Sequence, residues 1–230
     1  MSRIPEILPD TPATDILKTG IESAAGPVSL ACSFSLEDVA IIDIAHTAGL
    51  QLGVFAIDTG RLNEETYEVA EALVERYGLH IDWRFPRHET VEELEREKGL
   101  FSFRESLENR HECCHIRKVE PLGRALAGLK GWVTGMRRQQ GATRSDLAAI
   151  EQDELNGGLI KINPLIAWSE EQVISYSKEH NLPVNRLLLE GYRSIGCAPC
   201  TRAVRPGEDA RAGRWWWENP ESKECGLHRR

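Results

Sequence analysis

The sequence predicts an α/β fold: a parallel twisted sheet with helices on both faces. Two observations carry this. Short apolar runs alternate with helix-period segments across short loops. The polar motifs fall where the predicted strands end, which is where such sheets bind ligands.

Taken in order, residues 13–25 read as an opening helix, with Thr11 and Pro12 as start signals. Residues 28–33 are a short apolar run, a buried strand. Residues 36–48 have helical spacing and end at Gly49. A second strand, 52–57, stops at Asp58. An amphipathic helix over 64–77 is stopped by Gly78. Residues 80–85 give a third strand and 91–97 a short helix. Residues 99–111 are polar and irregular. Residues 112–127 look helical, with Cys113 and Cys114 near the start. Residues 131–134 and 157–163 supply a fourth and a fifth strand. The capping box Ser169-Glu170-Glu171-Gln172 opens a helix over 169–180. Beyond Gly191 the chain is rich in Arg, Gly, Pro and Trp and loses periodicity, so it reads as an extended segment.

Composition narrows the function. The 230 residues are 41% hydrophobic and 28% charged, an ordinary globular balance. A net charge of −8 argues against a general nucleic-acid binder, although local basic clusters occur at Arg137, Arg138 and Arg144 and at Arg202, Arg205, Arg211 and Arg214. No stretch approaches the ~18 apolar residues of a membrane span, and the start lacks a signal core. A cytoplasmic address is the expectation. There, six cysteines point to metal ligation or catalysis rather than to disulfides.

Five motifs carry chemistry. Ser33-Phe34-Ser35-Leu36-Glu37-Asp38 follows the first strand and opens a helix, where free backbone N–H groups favour an anion; an ordinary N-cap explains it equally well. Ile57-Asp58-Thr59-Gly60 ends the second strand and suits either a nucleoside or, more simply, a turn. Gly135-Met136-Arg137-Arg138 through Arg144 places planar cations after the fourth strand, fit for phosphate or sulfate. Cys197-Ala198-Pro199-Cys200 has ligand spacing, and beside it Cys113-Cys114 reads as the other half of a four-sulfur site, zinc or iron–sulfur. Lys223-Glu224-Cys225-Gly226-Leu227-His228 offers an exposed thiol near charge, as a nucleophile needs. The alternative is a disordered end whose cysteine is incidental; the run Trp215-Trp216-Trp217 argues against it, because three tryptophans suit docking of the segment on something. Cys32, inside an apolar strand, reads as a small buried hydrophobe.

In sequence order over nearly the whole chain, SFSLED, IDTG, CCHIRKVEPL, TGMRRQQ, GCAPCTRAV, GEDARAGRWWWE and KECGLH resemble the assimilatory adenylyl-sulfate reductase family of iron–sulfur type. The resemblance implies an adenine nucleotide α-hydrolase-like fold. It implies a nucleotide-binding domain over 1–190 that holds part of the cluster site, and a segment over 191–230 with the CxxC ligands and a mobile catalytic cysteine. One [4Fe–4S] cluster would sit on Cys113, Cys114, Cys197 and Cys200. Cys225 would attack the sulfur of adenylyl sulfate, and thioredoxin, acting as a separate protein, would release sulfite. Ser33, Phe34, Ser35, Glu37, Ile57, Gly135 and Arg138 match positions around the nucleotide; Lys118, Arg211, Arg214 and His228 match positions near the sulfate. Arg144 follows a loop one residue shorter than the family pattern, with Gly141 where Ser is usual. Lys118, four residues after Cys114, is expected one helical turn away on the same face. Homo-oligomerisation stays open. So do three rivals: the same chemistry on the 3′-phosphorylated nucleotide, a tRNA-thiolating enzyme, and a zinc-stabilised binding module.

Overall fold

The structure is a computed structural model that describes residues 4–140 and 146–219. Six strands form one sheet in the order β3-β2-β1-β4-β6-β5. They are β1 (Val28–Cys32), β2 (Gly53–Ile57), β3 (Ile81–Arg84), β4 (Gly131–Val133), β5 (Ile150–Asp153) and β6 (Leu159–Ile162). Pairs β1–β2, β1–β4 and β4–β6 are parallel, with Leu30 opposite both Val54 and Val133, and Val133 opposite Ile162. The chain steps from β1 to β2 to β3, then returns to the other side of β1 as β4. That reversal is the switch point at which open sheets present the loops of two strands to a ligand.

The helices are α1 (Ala13–Ala24), α2 (Leu36–Thr47), α3 (Glu64–Tyr77), α4 (His88–Lys98), α5 (Leu107–Cys114), α6 (Glu120–Leu126) and α7 (Glu170–Glu179). Helix α2 is buried almost continuously from Asp38 to Ala45, which is why its sequence lacks an amphipathic rhythm; it packs on β1, α1 and α7. Among the described residues no helix is long and apolar enough to cross a membrane.

Two expectations differ from the structure. The short, polar β5 gave no sequence signal, because four residues of an edge strand are too few to show alternation; it pairs antiparallel with β6, so the sheet is mixed. Within the region expected to be irregular, α5 starts at Leu107, with the Ser106 hydroxyl accepting from the Asn109 N–H at 3.1 Å.

The chain divides into two compact units. One comprises residues 1–56, 68–82 and 126–185; the other comprises 57–67, 83–125 and 186–230. The first holds most of the sheet with α1, α2 and α7, and its core includes Leu17, Leu30, Ile41, Val133 and Ile162. It also carries a buried polar tie. Asp43 on α2 accepts from Tyr77 Oη at 2.8 Å, from Tyr176 Oη at 2.6 Å and from His180 Nδ1 at 2.7 Å. Removing the carboxylate leaves three donors without an acceptor. Asp43→Ala is therefore expected to lower stability by about 3 kcal/mol, and Asp43→Asn by less, as read from urea midpoints.

Candidate active site and cysteine centre

In the first unit, the loops after β1 and β4 meet. Ser35 caps α2, its hydroxyl accepting from the Asp38 N–H at 3.3 Å. Phe34, just before the cap, is buried with φ +62°, a strained conformation for a residue with a Cβ, and it turns the chain sharply from strand to helix. The backbone N–H and the hydroxyl of Ser33 both donate to Asp38 Oδ2, each at 2.7 Å. The Ser33 hydroxyl hydrogen therefore goes to Asp38, and the Ser35 hydroxyl also bonds that carboxyl while it accepts from the Asp38 N–H.

Gly135 explains the closeness of the two loops. A Cβ there would lie 2.5 Å from Asp38 Oδ1 and 2.9 Å from Glu37 Cβ, so only glycine lets the β4 loop reach the start of α2. The two adjacent arginines separate in role. Arg137 is buried; its Nε donates to Glu37 Oε1 at 2.9 Å, and Gln140 Nε2 donates to the same oxygen at 3.0 Å. Arg138 is exposed, with Nε on the Leu147 carbonyl at 3.1 Å. The structure thus brings Ser33, Phe34, Ser35, Glu37, Gly135 and Arg138 to one end of the sheet, with the Glu37 carboxylate held by Arg137. Arg144 lies outside the described residues.

The second unit gathers the cysteines. Cys113, Cys114, Cys197 and Cys200 are all buried, and none forms a disulfide. Cys113, Cys197 and Cys200 pack with Leu94, Phe103 and Trp215. Burial pushes the Cys200 thiol up to about 12, and the neighbouring charges of Cys197 and Cys114 add to this. Burial also raises Cys113, against the pull of Arg61, Arg117 and Lys118. At Cys197 burial is outweighed by Lys118, the Thr59 hydroxyl, Arg214 and Arg117, so this thiol is held below its ordinary value. Thr59 Oγ1 lies 3.2 Å from Cys197 Sγ.

The loop carrying Cys197 and Cys200 is pinned on several sides. Arg61 O accepts from the Ala198 N–H at 2.8 Å, and Asn63 Nδ2 donates to Gly196 O at 3.2 Å. The Trp215 N–H donates to Cys200 O at 3.1 Å, and the Arg202 N–H donates to Gly213 O at 3.0 Å. A Cβ at Gly213 would stand 2.2 Å from the Arg202 carbonyl oxygen, so glycine is required there. Trp215 is fully buried between two guanidiniums, Arg110 at 4.5 Å and Arg214 at 4.6 Å from its ring centre. Arg110 is itself fully buried and donates to Glu218 Oε1 at 2.6 Å. The first of the three tryptophans therefore docks the segment, as its composition suggested. Arg211 is half-buried, its N–H on Asp209 Oδ1 at 2.8 Å.

Lys118 is not one α-turn beyond Cys114. A π-helical turn, His115–Val119, joins α5 to α6 and places Arg117 inside, buried, with Lys118 half-buried beside it. The wider turn changes the register that α-helical spacing assumes, and it brings in a cation that spacing did not indicate. Arg117 Nη1 donates to Thr59 O at 2.8 Å, and its Nη2 donates to Glu95 Oε1 at 2.5 Å. Arg61 Nη2 shares that Glu95 oxygen at 2.9 Å. Buried Arg117 Nε and Arg61 Nη1 have no hydrogen-bond partner among the described residues.

Thr59, Arg61, Glu95 and Arg117 are thus the residues that motif reading missed. Two hints were present: Thr59 inside IDTG, which suits a nucleoside or a turn, and Arg117 inside CCHIRKVEPL, where the resemblance singles out Lys118. Asp58 of that motif serves the turn, accepting from the Gly60 N–H at 2.7 Å and from Tyr67 Oη at 2.8 Å, which bears out the simpler reading. Ile57 closes β2, half-buried. Cys32 is buried at the end of β1, also as expected. Cys225 and His228 lie outside the described residues.

Among the described residues no group of three or more His, Cys, Asp or Glu stands ready to hold a single metal ion. The chemistry of the donor set nevertheless suits a larger sulfur-rich group. Four buried thiols are close enough to perturb one another, cations surround them, and two buried N–H donors lack an acceptor.

A profile of the phosphoadenosine phosphosulfate reductase domain matches residues 27–203. The chain belongs to this family. It is similar to an adenosine 5′-phosphosulfate reductase of Burkholderia cepacia, 47% identical over 97% of this chain and 89% of that one. Among solved structures it resembles a phosphoadenylyl-sulfate reductase of Candida auris, with TM-score 0.71 and 28% identity over 85% of this chain and 91% of that chain. It also shares its fold with an FMN adenylyltransferase of Candida glabrata, with TM-score 0.57 and 16% identity over 92% and 76% of the two chains. The expected family and fold class both hold.

Asp38 gives the loop a pH signature. Burial raises its carboxyl to about 6 from an ordinary 3.8, against the hydrogen bonds from Ser33. The folded state then holds a proton that the unfolded state has released between those pH values, so stability falls as pH rises through that window. Relative to Asp38→Asn, the wild-type chain should lose about 2 kcal/mol between pH 4 and pH 7, measured by denaturation across the range.

Proposed function

We propose that this protein reduces adenylyl sulfate to sulfite and AMP, with Cys225 as the sulfur carrier, thioredoxin as donor and one [4Fe–4S] cluster on Cys113, Cys114, Cys197 and Cys200. The single observation that carries this is the buried cysteine quartet in its setting of Lys118, Arg117 and Arg214. The name of the Burkholderia relative supports the substrate.

In the first step the Cys225 thiolate attacks the sulfate sulfur. An S–S bond forms, the bond from that sulfur to the phosphate oxygen breaks, and AMP leaves. In the second, a donor thiolate attacks Cys225 Sγ, and sulfite departs with the electron pair of the broken S–S bond. The donor's second thiol then closes its own disulfide and frees Cys225. Two electrons leave the dithiol and two reach sulfur.

The residues divide this work. Ser35, the backbone around Phe34, Glu37 and Ile57, close-packed Gly135 and exposed Arg138 bind the nucleotide, and Ser33 shapes their loop through Asp38. Lys118, Arg211, Arg214 and His228 neutralise the sulfate, which a thiolate anion could not otherwise approach. Arg144 adds positive charge after the same loop. The cluster, when bound, ties the turn bearing Lys118 to the loop that precedes Arg214 and supplies an electrostatic field. Buried Arg117 Nε and Arg61 Nη1, which lack partners among the described residues, would be available as donors to it. Residues 1–190 serve as the nucleotide domain and 191–230 as the segment that carries the chemistry. The setting is reductive sulfate assimilation in the cytoplasm.

Sulfite release from adenylyl sulfate with thioredoxin should disappear in Cys225→Ser while iron content stays that of wild type. Cys114→Ser should lose iron, the broad absorption near 400 nm and turnover together. A Cys225→Ser chain that still turns over would refute the carrier assignment.

A further inference from the structure

Among the described residues, the second unit exposes an apolar group beside the Cys197–Cys200 loop. Leu100 is 57% exposed, Phe101, next to it in sequence, 55% and Trp216 38%; Phe101 and Trp216 belong to one aromatic group. The Phe101 and Phe103 ring centres lie 6.0 Å apart, Phe103 and Trp217 5.9 Å, and Trp216 and Trp217 4.7 Å. The exposed Arg104 guanidinium lies 4.9–5.6 Å from all four rings. Its Nη2 donates to the Pro199 carbonyl at 3.0 Å, which fastens the group to the Cys197–Cys200 loop. The rings are therefore held in place before anything binds them. Rigid aromatics have little rotamer freedom left to lose, and exposed ones side by side mark a protein-binding surface.

We infer that Leu100, Phe101, Arg104 and Trp216 form the landing surface for the dithiol protein that regenerates Cys225. The inference rests on the reading of Cys225 as sulfur carrier. What selects this occupant is where the chain runs next. Cys225 follows Trp217 by eight residues, and an extended chain of that length reaches at most ~28 Å. Cys225 therefore stays within about one small-domain diameter of the aromatic group wherever its segment lies. A donor protein seated on the surface holds its thiolate inside that volume, so attack on Cys225 Sγ becomes nearly intramolecular. A small thiol gains nothing from the surface.

The test uses the full iron-loaded chain with Phe101→Ser, Trp216→Ser and the double variant. Three rates are measured: AMP release in a single turnover without reductant, sulfite release driven by dithiothreitol, and sulfite release against thioredoxin concentration. The first two should match wild type. In the double variant the KM for thioredoxin should rise about tenfold or more, with kcat little changed. An unchanged KM overturns the proposal. So does slower AMP release, which would assign the surface to the chain's own terminal segment. A changed solution mass with unchanged KM assigns it to a second copy and also overturns it. Absence of any AMP release in the wild-type chain would instead remove the underlying reading of Cys225, and the landing surface with it.

Discussion

Four sulfurs and several cations share one buried volume, and neither set is tolerable there without the other. An isolated buried thiolate or guanidinium carries a large desolvation penalty. Here Lys118, Arg117, Arg61 and Arg214 act on Cys113, Cys197 and Cys200, and the cations in turn need anchors. Glu95 anchors two of them through one oxygen. The consequence is asymmetry within a single CxxC: Cys197 is held low while Cys200 is pushed up to about 12. Lys118 and the Thr59 hydroxyl, with Arg214 and Arg117, pull Cys197 down against its burial, whereas burial and the neighbouring Cys197 push Cys200 up.

The sheet solves a different problem with different means. At the β1/β4 switch point the groups that the proposal assigns to the nucleotide are a hydroxyl, backbone N–H groups and the exposed Arg138, and the more deeply buried charges nearby are matched internally. Glu37 and Arg137 pair, and Asp38 takes both donors of Ser33. The loop shape is therefore set by the protein before a nucleotide arrives, as preorganised binding requires.

Much of this was legible in the sequence. The apolar runs of β1 and α2 and the amphipathic period of α3 were clear, and Cys113-Cys114 with Cys197-x-x-Cys200 announced a shared site because thiols at ligand spacing have few other uses where disulfides are not expected. What stayed hidden has physical reasons. Arg117 and Lys118 are adjacent, and only a π-turn decides that Arg117 is the more deeply buried of the two. Glu95 and Arg61 are 34 residues apart and meet only in the folded unit. Trp215, Trp216 and Trp217 look equivalent as letters, yet a positive φ of 39° at Trp215 turns its ring inward between two arginines while Trp216 remains exposed.

The π-turn His115–Val119 behaves as one residue inserted into an otherwise continuous helix from Leu107 to Leu126. Each residue of an α-helix advances the chain by about 100° around its axis. The wide turn absorbs that extra residue, so α5 and α6 keep nearly the phase of a regular helix one residue shorter; closing the turn into regular α-helix with all its residues kept would swing Cys113 and Cys114 by most of that angle relative to α6. Such a change would leave helix content and composition nearly intact while aiming the adjacent pair away from the CxxC. The two halves of the cysteine centre are thus in phase only because the helix that carries one of them is out of phase with itself.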